Sequence, residues 1–501
     1  MKYVIGVDLG TSAVKLLLVN QTGEVVAQVS KSYPLFQERS GWSEQNPDDW
    51  VKATISGLKE LLHLFAGDPG DIEGISFSGQ MHGLVLLDKK LEVLRNAILW
   101  NDTRTTEECR EIEERVGKER LLEITKNPAL EGFTLPKLLW VKKHEPHLYQ
   151  KAGAFVLPKD YVRFKLTGKL HMDCSDAAGT LLLNVPDKTW SREIGERVGV
   201  DMRLCPLLVD SVDEVGTVTP EIAKETGLSP ATRVFAGGAD NACGAIGAGI
   251  LKEGKTLVSI GTSGVVLTYE KDGTKDFGGK VHYFNHGAPG AFYTMGVTLA
   301  AGYSLSWLKE VFANDEDFDD LLNGIDRIPP GANGLLFTPY IAGERTPHAD
   351  ALIRGSWIGL DSSHQKEHLV RSVLEGITFS LNESVEMFRA HGKKVDQVIS
   401  IGGGAKNETW LQMQADIFGA KVVKLKSEQG PGMGAAMLAA AGCGWFASLS
   451  ECAEQFVKAE QVYEPVPENV KKYRQLFRIY REIYPATSGM SRQLQAFRHG
   501  G

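Results

Sequence analysis

The residue best placed for acid–base chemistry is Asp240, which follows a turn of small residues, Gly237-Gly-Ala239. The preceding Val-Phe-Ala is typical of a strand end, and the Ala-Cys-Gly-Ala run after Asn241 is typical of a helix. Asp240 is therefore expected at a helix N-terminus, where the helix dipole stabilises a carboxylate. A carboxylate with such small neighbours could accept a proton from a bound hydroxyl group. A plain helix N-cap is the alternative interpretation.

Two Gly-Thr-Ser turns are candidates for binding phosphate and a metal ion. The first, with Thr11 at its centre, follows Asp8 at the end of an apolar strand pattern; the second contains Gly261 and Thr262. Backbone amides and threonine hydroxyls in such turns can face phosphate oxygens. The Asp8 carboxylate could hold Mg²⁺ through water, because Mg²⁺ keeps most of its own waters. The alternative for Asp8 is a turn-forming aspartate without a metal.

A run of three glycines, Gly402-Gly403-Gly404, follows an apolar strand pattern over 398–401 and precedes Asn407. A backbone without side chains can lie flat against a nucleobase or a ribose. The Asn407 amide could then hydrogen-bond to adenosine. A plain strand-to-helix turn explains the same residues equally well.

Two polar loops that follow strand patterns are typical of sugar-binding segments. One contains Gln80, Met81 and His82, and the other contains Trp100 and Asp102. Together they offer hydrogen-bonding groups beside an aromatic ring, which suits a small polar substrate. A histidine with a purely structural role is the alternative for His82.

The elements that must position these residues alternate between strands and helices. Apolar, β-branched runs predict strands over 3–9, 14–19 and 72–79. Residues 46–65 have an asparagine cap, a proline in the first turn and helical spacing of apolar residues, which predicts a helix. Helical patterns also cover 104–125 and 134–150. The alternation places the chain in the α/β class.

An internal repeat predicts two related domains. Residues 3–19 (YVIGVDLGTSAVKLLLV) and 256–270 (TLVSIGTSGVVLTYE) both have the order strand, Gly-Thr-Ser, strand. The repeat predicts domains over 1–245 and 246–501, with a boundary near 244–255. The polar tail after about residue 486 is expected to be disordered or a fraying helix.

Length and composition narrow the function classes. A chain of 501 residues is too long for one hydrophobic core. The net charge of −8, without a dense Lys/Arg cluster, argues against nucleic acid and an anionic membrane as partners. The six cysteines include no CxxC pair and the N-terminus lacks a signal-peptide pattern, so a cytoplasmic location is expected. A homodimer is compatible with the sequence, which does not specify the oligomeric state.

One phosphate-binding motif is a chance match. Residues 249–256 fit the pattern G-x4-G-K-[ST], but a P-loop follows a strand and begins a helix. Here a helical pattern comes first and a strand pattern follows. A helix-to-strand turn, with Gly254 beyond the helix cap, is the interpretation we adopt.

Two longer segments resemble the signatures of the FGGY carbohydrate kinases. The segment 132–144 (GFTLPKLLWVKKH) is similar to the first signature, and the segments 355–360 (GSWIGL) and 368–375 (HLVRSVLE) are similar to the second. The resemblance extends from about residue 2 to about residue 485. It implies a ribonuclease-H-like fold, duplicated in two domains as in the actin-like ATPases, with ATP in the cleft between them.

The resemblance also implies roles for the candidate residues. Asp240 would be the proton acceptor, and Asp8 would lie near the metal and the phosphates. The residues expected to contact the sugar are Gln80, Met81, His82, Trp100, Asp102 and Asn241. The residues expected to bind the nucleotide are Thr11, Gly261, Thr262, Gly403, Gly404 and Asn407.

The expected reaction is ATP-dependent phosphorylation of a ketopentose, with D-xylulose as the expected substrate. The alternatives are kinases of the same family that act on ribulose, gluconate or glycerol. A more distant alternative is an actin-like ATPase without a sugar substrate.

Overall fold

The computed structural model describes residues 1–498, in which the chain forms two large β-sheets with helices on their faces. The strands are β1 Tyr3–Leu9, β2 Ala13–Asn20, β3 Val25–Ser32, β4 Glu44–Gln45, β5 Ile72–Gly79, β6 Val85–Asp88, β7 Ala97–Ile98, β8 Ala152–Val156, β9 His171–Asp173, β10 Leu183–Asn184, β11 Thr189–Trp190, β12 Leu207–Val209, β13 Glu214–Thr217, β14 Arg233–Phe235, β15 Gly238–Ala239, β16 Gly254–Ile260, β17 Gly264–Glu270, β18 His282–Asn285, β19 Phe292–Thr298, β20 Leu336–Thr338, β21 Ser356–Ile358, β22 Val395–Gly402, β23 Lys421–Leu425 and β24 Ala459–Tyr463.

The α-helices are α1 Pro47–Leu64, α2 Thr106–Val116, α3 Lys118–Thr125, α4 Thr134–His144, α5 Pro146–Tyr149, α6 Pro158–Thr167, α7 Cys174–Ala178, α8 Arg192–Val198, α9 Pro220–Thr226, α10 Asp240–Gly247, α11 Gly302–Phe312, α12 Phe318–Leu322, α13 Lys366–Ala390, α14 Glu408–Phe418, α15 Pro431–Gly442, α16 Leu449–Phe456 and α17 Pro467–Arg498. Short 3₁₀ helices lie at Pro69–Asp71, Met202–Leu204, Ile325–Arg327, Ala332–Gly334 and Gly403–Ala405.

The first large sheet lies in the N-terminal half and has the strand order β13-β14-β5-β1-β2-β3, with β15 paired to β5. β1 pairs with β2 in antiparallel fashion and with β5 in parallel. Helix α1 packs on this sheet through Trp50, Leu58 and Leu61, which are buried. The Asn46 side chain accepts a hydrogen bond from Asp48 N at 3.0 Å, so the sequence signal that predicted this helix also caps it.

The second large sheet repeats this arrangement in the C-terminal half, with the strand order β18-β19-β17-β16-β22-β23-β24. β16 pairs with β17 in antiparallel fashion and with β22 in parallel, as β1 pairs with β2 and β5. Thr11 and Thr262 therefore lie in equivalent turns. The internal repeat detected in the sequence is a repeat of structure.

Helices α10 and α15 join the two halves and pack closely together. A Cβ atom added at Gly434 would lie 1.9 Å from the Cys243 carbonyl oxygen, and one at Gly6 would lie 2.1 Å from the Gly432 oxygen. Close approach of this kind requires glycine. The uncharged, small-residue stretch around α15 therefore packs against β1 and α10, and no described helix is long and apolar enough to cross a membrane.

The segment 249–256, which fits the P-loop pattern, is a turn between α10 and β16. The helix precedes the strand, as the sequence interpretation required. The glycine directly beyond the helix cap is Gly249, with a φ of +72°, whereas Gly254, which was predicted there, is the first residue of β16, with a φ of +87°.

Of the two alternatives for the C-terminal tail, disorder or a fraying helix, the structure has a helix, because α17 continues to Arg498. The Ser491 hydroxyl accepts a hydrogen bond from Arg354 N at 3.3 Å, and Arg492 lies 3.5 Å from Asp350. Gln495 is buried. These partners lie more than 130 residues away in sequence, so the polar composition of the tail did not reveal them. Residues 499–501 lie outside the described part.

Candidate functional site

Asp8 and Asp240 lie at the same edge of the first sheet, on either side of the end of β5. Asp8 is paired in register with Ser78 of β5, and Gly238 is paired with Ser78 from the other side. Asp240 follows two residues later as the first residue of α10. The parallel pairing of β1, β5 and β15 thus brings together two carboxylates that are 232 positions apart in the sequence.

Both carboxylates resist ionisation. Burial raises the pKa of Asp8 to about 6, with Ser78 and Lys15 partly opposing the rise. Burial raises the pKa of Asp240 to about 7, and the charge of Asp8 adds to the effect. Two carboxylates with little compensating positive charge nearby are suitable oxygen ligands for a hard divalent cation.

Asn241 fixes the orientation of the Asp240 carboxylate. The Asn241 backbone N–H donates to Asp240 Oδ1 at 2.6 Å, and its Nδ2 donates to the same oxygen at 3.1 Å. The same Nδ2 lies 3.5 Å from Met81 Sδ, and the Tyr293 hydroxyl lies 3.9 Å from that sulfur. The Asn241 amide group therefore contacts both Met81 and the carboxylate that the sequence identified as an acid–base group.

His82 is a neutral imidazole in a strained loop. Its φ of +69° is unusual for a residue other than glycine. Burial lowers the pKa of His82 to about 3. The hydrogen bond to the Gly179 carbonyl opposes this shift, and the positive charge of Lys137 and of other nearby groups reinforces it. Nδ1 lies 2.7 Å from the Gly179 carbonyl oxygen and must donate to it, so Nε2 remains as an acceptor.

Gln80 and Trp100 both contact the first Gly-Thr-Ser turn. Thr11 Oγ1 donates to Gln80 Oε1 at 3.4 Å and accepts from Trp100 Nε1 at 3.0 Å. Gln80 is almost wholly buried and also donates to Gln45 at 3.1 Å, whereas 46% of Trp100 is exposed. Trp100 thus keeps a ring face for a ligand, while Gln80 supports the turn.

Asp102 does not face an open space. Only 1% of it is exposed, and its Oδ2 accepts from Ser43 N at 2.6 Å. Both its oxygens also accept hydrogen bonds from the Arg104 guanidinium, at 2.9 and 2.6 Å. The carboxylate could contact a sugar only by giving up these bonds, which favours a supporting role over the contact that the family resemblance implied.

A pocket of about 300 Å³ lies at the edge of the second sheet. Its lining includes Gly261, Thr262, Gly403, Gly404 and Asn407, all of which were predicted to bind nucleotide. The lining also includes apolar side chains from three helices, namely Leu305, Phe318, Leu322 and Trp410. A lining of glycine backbone and apolar side chains suits a flat aromatic base, which is what the predicted nucleotide site requires.

Two positions of the glycine run, Gly402 and Gly404, have a local reason to be glycine. Gly402 has a φ of +81° and a ψ of −155°, a conformation available essentially to glycine alone. A Cβ atom at Gly404 would lie 2.6 Å from Ile260 Cδ1. The Asn407 Oδ1 accepts from Trp410 N at 2.9 Å and caps α14, so only its Nδ2 remains for a ligand.

Two residues at the site were missed by sequence reasoning. Lys15 is directly opposite Asp8 in the β1–β2 register and donates to Gln429 Oε1 at 2.8 Å. A short hairpin around the first Gly-Thr-Ser turn would have predicted this pairing. Tyr293, which contacts Met81 from the other half of the chain, carries no local sequence signal.

Comparisons with known proteins show which family this chain resembles along most of its length. Residues 3–247 match the model of the FGGY family of carbohydrate kinases, N-terminal domain, and residues 256–443 match that of the C-terminal domain. The chain is 61% identical over 498 residues to a protein named xylulose kinase from Bacillus subtilis, covering 99% of this chain and 100% of the relative.

Solved structures with the same fold include two sugar kinases of Lactobacillus acidophilus. A ligand-bound xylulose kinase superposes with a TM-score of 0.93 at 30% identity, covering 99% of this chain and 100% of that one. A gluconate kinase superposes with a TM-score of 0.93 at 30% identity, covering 98% and 99%. The fold alone therefore does not separate these two substrates.

Proposed function

This chain belongs to the FGGY family of carbohydrate kinases, and on that premise we propose that it transfers the γ-phosphate of ATP to D-xylulose, forming D-xylulose 5-phosphate. The observation that carries the choice of sugar is the full-length similarity to a xylulose kinase at 61% identity. A few hydrogen bonds distinguish sugars that differ by one hydroxyl group, so overall identity is a better guide than the shared fold. The free thiols and the use of ATP support a cytoplasmic location.

Asp240 is the general base in this proposal. Its Oδ1 is held by two hydrogen bonds from Asn241, which leaves Oδ2 to accept the proton of the terminal sugar hydroxyl. The sugar oxygen then forms a bond to the γ-phosphorus while the bond from that phosphorus to the β–γ bridging oxygen breaks. ADP leaves with the electron pair. A pKa of about 7 suits a group that takes up and releases a proton at neutral pH.

Asp8 is the residue proposed to hold Mg²⁺ through water. Its raised pKa reflects a buried negative charge without full compensation, and a cation supplies that compensation. When bound, Mg²⁺ neutralises the charge of the phosphate oxygens. Lys15, which lies opposite Asp8 in the hairpin, directs a second positive charge to the same region.

The sugar and the nucleotide are assigned to different halves of the chain. For the sugar we propose contacts from Met81, His82 through Nε2, Asn241 and the exposed face of Trp100, with Gln80 and Asp102 in support. For ATP we propose Gly261, Thr262, Gly403, Gly404 and the Nδ2 of Asn407. Thr11, which contacts Trp100, would lie between the two ligands at the phosphates.

Gluconate is the second candidate substrate, because a gluconate kinase shares the fold as closely as a xylulose kinase does. A coupled ADP-release assay with xylulose, ribulose, gluconate and glycerol decides between them. We expect the highest kcat/KM with D-xylulose. A higher kcat/KM with another member of the panel would replace xylulose, and ADP release independent of every sugar would favour an ATPase.

The role of Asp240 is tested by Asp240→Asn, which keeps the size of the side chain and the acceptor at Oδ1. We expect kcat to fall by at least about 100-fold, because the proton acceptor is removed. The ADP dissociation constant, measured by calorimetry, should stay within about twofold, because the proposed adenosine pocket lies on the other half. Turnover near that of the unmodified enzyme would remove Asp240 from the mechanism.

A further inference from the structure

Five charged side chains, all fully buried, lie beneath the turn that carries Asp240. The Lys159 Nζ lies 2.6 Å from Asp160 Oδ1, 2.6 Å from Asp173 Oδ1 and 3.0 Å from Asp176 Oδ2. Arg163 Nη1 donates to Asp160 Oδ1 at 2.9 Å. The three carboxylates are close enough to hold a metal ion, but the Lys159 ammonium already occupies the position between them. Burying five charges has a large desolvation cost, which only good ion-pair geometry and hydrogen bonds can offset.

Asp173 is the member of this cluster that receives the most donors. Its Oδ2 accepts from Ser175 N at 2.9 Å, from the Ser175 hydroxyl, and from the Ser211 hydroxyl at 2.9 Å. Its Oδ1 faces the Lys159 ammonium. Because both oxygens meet only donors, the position requires a carboxylate.

The partners of Asp173 hold the backbone that leads into Asp240. The Ser175 hydroxyl donates to Asp173 and accepts from Ala239 N at 3.0 Å, directly before Asp240. The Ser211 carbonyl oxygen accepts from Gly237 N at 3.0 Å, and its hydroxyl donates to Asp173.

We infer that Asp173 is a positioning residue for Asp240, acting through the Ser175 and Ser211 hydroxyls. A serine hydroxyl has one proton, so Ser175 can accept from Ala239 N only while it donates elsewhere. Asp173 receives that proton and thereby fixes the direction of the hydroxyl. The carboxylate thus sets the path of the turn that delivers Asp240.

The same residue also supports the sugar-side loop. Asp173 is the N-cap of the short helix α7, and the residue after that helix is Gly179. The Gly179 carbonyl oxygen receives the hydrogen bond from His82 Nδ1 at 2.7 Å. Asp173 is therefore connected through Ser175 of α7 to the turn before Asp240, the proposed base. Through the end of the same helix it is connected to His82, a proposed sugar contact.

The test rests on the proposed kinase activity and uses Asp173→Asn and Ser175→Ala. An amide at 173 can accept on one side only, so either Lys159 or the serine hydroxyls would meet an N–H donor. We expect kcat to fall by about 10- to 100-fold in each variant, because a small displacement of the base is sufficient. The ADP dissociation constant should stay within about twofold. The double variant should be little worse than either single variant, since both break the same connection.

Ser191→Ala is the control, because Ser191 is also a buried serine in the N-terminal half and its hydroxyl caps α8 without any bond to the turn before Asp240. It should lower the melting temperature and leave kcat unchanged. If Asp173→Asn does not fold, Ser175→Ala decides alone. A kcat for Ser175→Ala within twofold of the unmodified enzyme, or a loss of ADP affinity equal to the loss of kcat, would overturn the inference. Absence of sugar-dependent turnover in the unmodified enzyme would instead overturn the proposed function.

Discussion

Asp8 and Asp240 are held close together at the expense of stability. Each pKa is raised above its ordinary value by burial, which means that the folded protein binds those protons more tightly than the unfolded chain does. In the proposed function this site would accept a cation, phosphates and a hydroxyl proton, and such a site needs uncompensated negative charge before its ligands bind. The cost is therefore part of the chemistry.

The pH dependence of stability should reveal this cost. The folded-state pKa of Asp240 is about 7 against 3.8 for an ordinary aspartate, so its contribution to the free energy of unfolding falls as pH rises between these values. Asp240→Asn removes the penalty. We expect the variant to be more stable at pH 8, by about 2–4 kcal/mol, and unchanged at pH 4. Urea denaturation without Mg²⁺ or nucleotide measures the difference.

Asp201→Asn is the control of opposite sign, because the Arg203 guanidinium holds the pKa of Asp201 below its usual range. That variant should lose stability at pH 8. Parallel curves of stability against pH for Asp240→Asn and the unmodified protein would show that the Asp240 carboxylate is not desolvated in the folded state.

For individual residues, the sequence indicates which side chains are functional candidates better than it indicates the groups to which they hydrogen-bond. Asp8 and Asp240 were identified because each lies at a strand end or helix start, and local patterns reveal such positions. Asp102 was expected to contact sugar, yet its partners are Arg104 and the backbone of Ser43, 59 residues away. A side chain committed to a distant backbone group cannot be recognised from its own segment.

Among the elements, α15 packs especially closely against α10 and β1. We expect Gly434→Ala to lower the free energy of unfolding by about 3 kcal/mol, because the added methyl would lie 1.9 Å from a backbone oxygen that cannot move independently. Chemical denaturation of the full chain measures this loss.

Gly489→Ala is the matched control within a helix. Gly489 lies in α17, and a Cβ atom there meets no atom within 4 Å. Alanine should stabilise this helix by up to about 1 kcal/mol, because it has the higher helix propensity. Equal effects of the two substitutions would mean that α15 does not pack as closely as described.

The ends of helices and strands that carry clear signals in their own sequence were predicted to within one or two residues. The strand over 72–79 is β5, and the helix predicted over 46–65 is α1, Pro47–Leu64. The helical pattern over 104–125 is two helices, because Gly117 has a φ of +86° and separates α2 from α3. The end of α17 was not predicted, since its stabilising partners, Arg354 and Asp350, lie in another part of the chain.

Across the whole molecule the two halves meet at α10 and α15 and again near the proposed sugar site. The Asn127 side chain pairs with the Tyr283 backbone as a neighbouring strand would: its Nδ2 donates to the carbonyl oxygen at 2.8 Å, and its Oδ1 accepts from the N–H at 3.2 Å. Asn285 Nδ2 donates to the Val185 carbonyl oxygen at 3.0 Å. By contrast, the residues that line the proposed adenosine pocket all belong to the C-terminal half. Nucleotide binding should therefore tolerate changes in how the halves meet, whereas transfer to the sugar should not.

Asn127→Asp tests this division of labour. The change replaces the Nδ2 donor with a second oxygen facing the Tyr283 carbonyl oxygen, so the two halves should separate locally. We expect the sugar KM to rise by about tenfold and kcat to fall, because the sugar loops and Tyr293 are then no longer held together. The ADP dissociation constant should stay within about twofold, and Asn96→Asp, the same change at an exposed position in the N-terminal half, should alter none of these values. A loss of ADP affinity as large as the rise in sugar KM would mean that the junction supports both sites, and that the nucleotide half does not act as an independent binding unit.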